Sequence, residues 1–261
     1  MPRIITPTTD FGVSSPYVAM MKGIILSINP DVTLIDITHA IEPQNVRQAA
    51  LALADTARWF PPETIHLAVV DPGVGTKRKI VYARIGQQDF VAPDNGLLSR
   101  LALATPPSTI ISVTDPEYWL PAVSATFHGR DIMAPVAARL SLGLEPGRLG
   151  SVQHELVELE WTEACVSQKR IQGAVQSVDS FGNLITNIPA DVLANVPRGE
   201  EVMVVCDEHE THGIFSTYAD QPAMTLIALV GSSGHLELAI VGDSAAIMLG
   251  VTVGTPVTVT W

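Results

Sequence analysis

Residues 64–75 read Thr-Ile-His-Leu-Ala-Val-Val-Asp-Pro-Gly-Val-Gly, an apolar run that passes directly into a short polar loop. The apolar residues of Thr64–Val70 predict a buried strand. Asp71 follows that strand, and Pro72 with two glycines predicts a rigid but sterically open turn. In open α/β sheets, ligands bind beyond the carboxyl ends of the strands. This stretch therefore predicts both a sheet and a binding loop at its edge.

Strand-like and helix-like segments alternate on both sides of this stretch. The other predicted strands are Ile4–Thr8, Thr33–Ile37 and Ile80–Ile85. The predicted helices are Pro16–Ile28, Val46–Trp59, Leu97–Ala104 and Ile132–Leu142. Such alternation favours an α/β layer. We expect residues 1–150 to form an α/β N-terminal domain, with a largely parallel sheet and flanking helices.

The pattern changes after residue 150. Residues 143–160 are rich in glycine and acidic residues, and we expect a linker at 151–168. Beyond it, strands separated by Gly and Asn turns dominate: Lys169–Val178, Leu184–Ile188, Glu201–Cys206, Leu226–Val230, Leu236–Val241 and Val257–Trp261. We therefore expect residues 169–261 to form an all-β, barrel-like C-terminal domain.

The composition excludes several classes of protein. Of the 261 residues, 47% are hydrophobic and 16% charged, which is typical of a folded globular chain. The apolar runs are too short to cross a bilayer, and the N-terminus lacks a signal-peptide region, so we expect a cytoplasmic protein without membrane contact. A net charge of −12 without a basic stripe argues against nucleic-acid binding. The two cysteines, Cys165 and Cys206, predict reduced thiols.

Five polar loops follow predicted strands, or are placed where they could follow one. They are Thr9–Gly12, Asp36–His39, Asp71–Gly75, Pro93–Gly96 and Phe127–Asp131. Each alone is typical of a turn or a helix N-cap. Five such loops at one edge of a sheet indicate a ligand site.

Three side chains in or near these loops suit the handling of water. Arg78 lies seven residues after Asp71, close enough to fold back and pair with it. His128 has a side chain that can polarise or deprotonate water at neutral pH. Read singly, each is more typical of a structural role: Asp71 and Arg78 of a surface ion pair, and His128 of a hydrogen-bonded structural histidine.

The sequence contains no motif typical of a metal site or of a common cofactor. Asp10, His39, Asp71, His128 and Asp131 offer donor atoms, but no HExxH or other close ligand pair occurs. Neither GxGxxG after the first strand nor GxxxxGK[ST] is present. We therefore expect no metal and no cofactor.

The predicted β-domain has polar loops of its own. Residues 179–183 offer a carboxylate, an aromatic ring and an amide, and Gly231–Gly234 offers two hydroxyls. A third loop spans 242–246. As isolated strings, all three are ordinary turns.

Together these motifs resemble the S-adenosyl-L-methionine (SAM) hydrolases that form adenosine, also called SAM hydroxide adenosyltransferases, which are relatives of the fluorinases and chlorinases. The resemblance covers essentially the whole chain. It rests on Thr9–Gly12, Val70–Gly75, Pro93–Gly96, Phe127–Asp131, Phe181–Asn183 and Ser232–Gly234 in this order. It implies an α/β domain, a β-barrel domain and a homotrimer, with SAM bound between the N-domain of one subunit and the C-domain of its neighbour.

The resemblance also implies roles for individual residues. Asp71, Arg78 and His128 hold the attacking water or hydroxide. Asp10 grips the ribose hydroxyls. Asp179 and Ser232 bind the methionine end, and Phe181, Asn183, Ala245 and Ala246 form the adenine pocket. The other residues that the resemblance implies to bind substrate, without a more specific role, are Asp94, Asn95, Phe127 and Ser233.

Three alternatives stay open at this point. Halogenase relatives lack the Asp–Arg–His set and carry an extra loop, so the presence of Asp71, Arg78 and His128 favours hydrolysis of SAM to adenosine and methionine. A non-catalytic protein that binds SAM or adenosine would use the same pocket, but would not need the complete set. A metal-dependent hydrolase would lose activity with a chelator.

Overall fold

The computed structural model describes residues 3–261. The predicted absence of a signal peptide concerns the N-terminus, of which Met1 and Pro2 lie outside the described residues. The chain divides into two compact units, Met1–Glu160 and Trp161–Trp261. The linker boundaries at 151–168 stay a prediction. In that stretch the structure has one isolated bridge, at Val152, and the short strand β7 (Cys165–Ser167).

The first unit is a six-stranded sheet covered by helices. Its strands are β1 (Ile4–Thr9), β2 (Thr33–Leu34), β3 (Ile65–Val69), β4 (Ile80–Ile85), β5 (Gln88–Pro93) and β6 (Pro107–Ser112). Its helices are α1 (Tyr17–Ile28), α2 (Val46–Ala57), α3 (Ser99–Ala104) and α4 (Ala134–Ser141). The strand order is β2-β1-β3-β5-β4-β6. The sequence did not predict β5 and β6.

Successive residues of β3 point to opposite faces of this sheet. Leu67 and Val69 pack in the core that also holds residues of α1 and α4. Ala68 and Val70 pack in the core that holds residues of α2 and α3. Both faces are therefore buried, which is why this strand reads as a continuous apolar run.

The expectation of a largely parallel sheet is wrong, because the sheet is mixed. β1, β2, β3 and β5 pair in parallel, but β4 runs antiparallel to both β5 and β6. Only Gly86 and Gln87 separate β4 from β5. A two-residue link makes a hairpin and is far too short for the crossover that a parallel pair needs.

The second unit is an antiparallel sheet that curls into a nearly closed barrel. Besides β7, its elements are β8 (Arg170–Val178), β9 (Leu184–Pro189), β10 (Met203–Cys206), β11 (His209–His212), β12 (Leu226–Val230), β13 (His235–Ile240), α5 (Ala245–Leu249) and β14 (Pro256–Thr260). The order is β11-β10-β14-β8-β9-β13-β12, with β7 on β8. The end strands approach each other, since Thr211 Oγ1 donates to the Leu226 carbonyl at 2.8 Å. The expected barrel-like C-terminal fold is confirmed.

No helix within residues 3–261 is long and apolar enough to cross a membrane.

Candidate active site

Two aspartates leave the first sheet at the same edge. β1 and β3 are parallel neighbours, and Thr9 at the end of β1 is paired with Val69 at the end of β3. Asp10 follows the first strand, and Asp71 comes two residues after the second. Because parallel strands end together, both carboxylates lie beside one cavity of about 400 Å³, which they help to line.

The Asp71, Arg78 and His128 side chains form one hydrogen-bonded set. Arg78 Nε lies 2.9 Å from each carboxylate oxygen of Asp71, and its Nη2 also donates to that carboxylate. The same Nη2 lies 2.9 Å from His128 Nδ1. The Asp71 and Arg78 side chains are only 6% and 10% exposed, so this pair is largely withdrawn from water. The fold-back predicted from the seven-residue spacing is therefore present, and it extends to His128.

A close backbone contact holds the loop of Asp71 and Arg78 against the segment before His128. Gly75 has φ +78°, and a Cβ there would lie 2.5 Å from the Ala125 carbonyl oxygen. Only glycine permits both this conformation and this approach. The contact explains how two segments about 50 residues apart in the chain present their side chains to one another.

His128 precedes a π-helical turn, Gly129–Met133, that continues into α4. Such turns occur frequently at functional sites. A Cβ at Gly129 would lie 2.9 Å from Val69 Cγ1, so this glycine lets the turn pack directly on the end of β3. His128 is thereby placed next to the strand that leads to Asp71.

The charge state of His128 follows from its surroundings. Burial, and then the positive charge of Arg78, lowers the pKa of His128 below its usual 6.5, although Asp71 and Asp131 act in the opposite direction. A guanidinium has no acceptor, so Nδ1 must accept the bond from Arg78. The neutral ring therefore carries its proton on Nε2.

Aromatic rings form another wall of the cavity. Phe127 makes edge contacts with Phe11 and Tyr17, at centroid distances of 5.6 and 5.3 Å. The guanidinium of Arg130 lies 5.0 Å from the centre of the Phe127 ring. Sequence analysis selected Phe127 but not Tyr17, because Tyr17 belongs to a helix and to no polar motif.

Asp10 lines the cavity, and one of its two carboxylate oxygens already accepts a hydrogen bond from the protein. Its Oδ2 accepts the backbone N–H of Gln44 at 2.8 Å. Gln44, which also lines the cavity, has φ +66°, a conformation uncommon for a residue with a side chain. Sequence analysis did not select Gln44. An uncommon φ leaves no pattern in a sequence unless glycine supplies it.

Asp94 and Asn95 do not line this cavity. Asp94 Oδ1 accepts the backbone N–H of Val157 at 2.8 Å. Asn95 Nδ2 donates to the Val70 carbonyl at 2.9 Å, immediately before Asp71. Both side chains are engaged in holding loops, and their predicted contact with substrate stays a prediction.

The predicted residues of the second unit form two local clusters. In the first, Asp179 accepts the backbone N–H groups of Phe181 and Asn183, both at 2.9 Å, and the Asn183 amide at 3.0 Å. The Phe181 ring is 78% exposed. Ala246 at the start of α5 donates its N–H to the Gly182 carbonyl at 2.9 Å, which brings Ala245 and Ala246 beside this turn.

The second cluster surrounds Ser232 and Ser233. Ser233 Oγ is buried and has no hydrogen-bond partner within residues 3–261. Glu237, only 4% exposed, lies beneath the same loop, since a Cβ at Gly231 would be 2.3 Å from its Oε2. Tyr218 donates to Glu237 Oε1 at 2.5 Å. Burial raises the pKa of Glu237; the Tyr218 bond opposes this, and the charge of Asp179 adds to it.

Sequence analysis missed Glu237 and Tyr218. The signal for Glu237 was available, because it stands between Leu236 and Leu238 in an otherwise apolar strand. No signal pointed to Tyr218, which lies 19 residues away in the chain.

No three His, Cys, Asp or Glu side chains in the part of the chain that the structure describes gather into a metal site.

Family models match both units. The model for the SAM hydroxide adenosyltransferase N-terminal domain matches residues 5–150, and the model for the corresponding C-terminal domain matches residues 173–258. The chain belongs to the SAM hydroxide adenosyltransferase family. The resemblance inferred from the motifs is thereby confirmed.

Curated members of the family are similar over nearly their whole length. The (R)-S-adenosyl-L-methionine hydrolase of Salinispora arenicola is 36% identical over 98% of this chain and 97% of its own. The enzyme of that name from Thermus thermophilus is 37% identical over 95% and 96%. A fluorinase from Actinopolyspora mzabensis is more distant, at 28% over 98% and 97%.

Solved structures of similar proteins share the family fold. An uncharacterized conserved protein from Thermotoga maritima superposes with a TM-score of 0.93 at 37% identity, covering 99% of this chain and 100% of its own. A conserved hypothetical protein from Thermus thermophilus has a TM-score of 0.80 at 35% identity, covering 98% and 99%.

Proposed function

We propose that this protein is an enzyme that hydrolyses SAM to adenosine and L-methionine by attack of water or hydroxide at C5′. The observation that carries the proposal is the Asp71–Arg78–His128 set beside a cavity that Asp10 also lines. The hydrolases at 36–37% identity support it, and the greater distance of the fluorinases favours hydrolysis over halogenation.

The leaving group needs little catalytic assistance from the protein. Departure of methionine neutralises the sulfonium, so sulfur needs no general acid. The remaining task is to hold an oxygen nucleophile in line with C5′ and to remove its surrounding water. A withdrawn cation that stabilises a hydroxide-like oxygen suits this task.

We assign that cation to Arg78. Asp71 bonds to its Nε and Nη2 and thereby fixes the plane of the guanidinium. The bonds to Asp71 and His128 use its Nε and Nη2, which leaves Nη1 to donate to the nucleophile. His128, with Nδ1 engaged by Arg78, offers a second donor, Nε2–H. In this arrangement both groups stabilise negative charge on a hydroxide that has already formed. When water itself attacks C5′, its proton goes to His128 Nδ1, which must first release Arg78.

Residues of both units are proposed to bind the substrate. Asp10 accepts from the ribose hydroxyls, and Phe127 shapes the same cavity. Phe181 stacks on adenine beside Asn183, Ala245 and Ala246. Asp179, Ser232 and Ser233 hold the methionine end. Asp94 and Asn95, whose side chains also bond to loop backbone, are proposed to contact the substrate as well.

The test is product analysis in oxygen-18 water with SAM as substrate. We expect adenosine with the label in its 5′-hydroxyl, together with methionine. The four relatives at 36–37% identity are named for the R form, so both sulfonium epimers are to be tested, and we propose that the R epimer reacts faster. Binding without products would overturn the proposal in favour of a non-catalytic binder. Formation of 5′-halo-5′-deoxyadenosine with chloride or fluoride would indicate a halogenase.

We further propose a homotrimer in which the C-terminal unit of a neighbouring subunit completes each site. Light scattering after gel filtration measures the mass. Subunits with Arg78→Ala, co-expressed with subunits carrying Phe181→Ala, should give mixed trimers more active than either variant alone at low substrate. A monomer, or mixed subunits without that gain, would contradict this assembly.

A cytoplasmic location is also proposed, supported by two free cysteines, Cys165 and Cys206. Fractionation of cells with an antibody to the protein tests it, and recovery outside the cytoplasmic fraction would overturn it.

A further inference from the structure

The Asp36–His39 loop was among the five polar loops of the sequence, yet none of its residues has a role in the proposed reaction. His39 is only 8% exposed and connects two other groups. Its Nε2 lies 3.1 Å from Asp36 Oδ1, and its Nδ1 lies 2.9 Å from Thr9 Oγ1. Asp36 is itself held by Lys22 Nζ from α1, at 2.6 Å.

The chemistry of these groups fixes the direction of each contact. His39 Nε2 is buried and does not meet hydrogen-bond geometry with any described residue, but the Asp36 carboxylate 3.1 Å away can only accept. We therefore assign the proton of the neutral His39 ring to Nε2. Nδ1 is then an acceptor, and the Thr9 hydroxyl must donate to it. The lone pairs of Thr9 Oγ1 are left free for the backbone N–H of Phe11, which donates to it at 3.2 Å.

This chain of contacts ends at the cavity. Thr9 and Phe11 flank Asp10 in sequence, and Asp10 and Phe11 both line the cavity. The backbone adds two further bonds between the loops: Thr9 N–H donates to the Thr38 carbonyl at 3.0 Å, and Gly12 N–H donates to the His39 carbonyl at 2.8 Å. Thr9 is completely buried, so water cannot replace a lost partner there.

We propose that the Asp36–His39–Thr9 relay is a positioning device that sets the Asp10 carboxylate for the ribose hydroxyls. The relay touches no substrate and acts through the backbone between Thr9 and Phe11. The inference rests on the proposed function, which gives Asp10 its ligand. The same relay makes His39 a structural partner of Asp10 rather than a metal ligand.

Thr9→Val is the decisive variant, because valine has the shape of threonine but lacks the hydroxyl. Thr9→Ser is its matched control, because serine keeps the hydroxyl and loses a methyl group. We expect Thr9→Val to raise KM for SAM about tenfold, the cost of an unsatisfied buried hydrogen bond, and to change kcat much less. Thr9→Ser should restore most of the affinity.

A readout specific to the ribose separates positioning from simple destabilisation. Wild-type protein should bind adenosine more tightly than 2′,3′-dideoxyadenosine. That preference should shrink in Thr9→Val and in Asp10→Asn, and the double variant should lose no more than Asp10→Asn alone. A lower melting temperature with an unchanged preference would overturn the proposal, and so would Thr9→Val with wild-type KM.

A third measurement does not depend on turnover. Nitrogen-15 NMR of the histidine rings should show His39 protonated at Nε2 in the wild type, with a changed Nδ1 shift in Thr9→Val and not in Thr9→Ser. An Nδ1–H tautomer in the wild type would overturn the relay. If the protein does not hydrolyse SAM but this signature is present, the proposed function fails while the relay stands.

Discussion

Asp71 and Asp179 both follow a strand, yet the two units use them differently. Asp71 bonds to Arg78, which in turn reaches His128, 50 residues further along the chain. The Asp179 carboxylate accepts three hydrogen bonds from Phe181 and Asn183, no more than four residues away. The first carboxylate fixes the cation that we propose to stabilise the nucleophile. The second fixes a turn that displays an exposed ring.

Because of this difference, we expect substitutions in the two units to change different kinetic constants. Changes in the Asp71 set should lower kcat, because they remove charge stabilisation that matters most in the transition state. Changes around Asp179 should raise KM, because they remove contacts that substrate and transition state share.

The largest effect is expected from Arg78→Ala. Loss of the guanidinium leaves the Asp71 carboxylate without its cation and the nucleophile without its main donor, so kcat should fall about 10³-fold. Steady-state kinetics with SAM measures it. Lys77→Ala is the control, because it removes an equal charge from the adjacent, exposed position. A kcat within threefold of wild type would break the distinction between the two units.

Phe181→Ala should have a smaller effect, and it should change KM instead of kcat. An exposed ring that stacks on a base contributes about 1–3 kcal/mol, so KM should rise about tenfold or more with kcat little changed. Phe181→Tyr keeps the stacking surface and should keep KM near the wild-type value. A fall in kcat without a change in KM would place Phe181 with the Asp71 set.

A moderate effect is expected from pH. The pKa of His128 is lowered by burial and by Arg78, so the neutral ring that the set requires persists below pH 6.5. The value of kcat/KM should therefore be level above pH 6.5 and fall at lower pH, as the ring gains a proton and repels Arg78. An inflection above pH 7 would contradict the lowered pKa.

The smallest expected effect is on the pH dependence of stability, and it should differ in sign between one buried carboxyl group in each unit. Burial acts to raise the pKa of Asp131, but bonds from Arg130 and the Ser124 N–H outweigh it, so that pKa is lowered. Stability from Asp131 is therefore present above its usual 3.8 and is lost as pH falls below it. Glu237 is bonded to the hydroxyl of Tyr218 instead, and its pKa is raised. Its contribution should be lost as pH rises above 4.5 through the raised pKa.

Urea unfolding of wild type, Asp131→Asn and Glu237→Gln across pH 3 to 8 measures both. The free energy of unfolding of wild type, relative to that of Glu237→Gln, should decrease as pH rises above 4.5. Relative to that of Asp131→Asn, it should decrease as pH falls below about 4. Two curves with the same slope would remove the contrast.

Local patterns were enough to predict part of this structure. The apolar run before Asp71 predicted β3, and the seven-residue spacing predicted the bond to Arg78. The partnership with His128 was reached only through the family resemblance, because it depends on the close approach of Gly75 to Ala125. Such a contact leaves no periodic pattern.

The missed features have separate causes. β5 was not predicted, although the hairpin at Gly86 and Gln87 that sets its direction is a local feature. Tyr218 could not be connected to Glu237 because the barrel alone brings them together. The bonds that Asp94 and Asn95 make to loop backbone leave their predicted contact with substrate untested.

The π-helical turn after His128 has a consequence for insertions and deletions. The Ala134 N–H bonds to the Gly129 carbonyl five residues back, which amounts to one residue more than an α-helix would hold. Because the wide turn absorbs that residue, deleting it would narrow the turn to α-helical width directly beside His128. An insertion in the α-helical part of α4, which has no such turn to absorb it, would instead rotate everything before it by about 100° and turn His128 away from Arg78. The geometry at this histidine therefore depends on the length of the chain as much as on its composition.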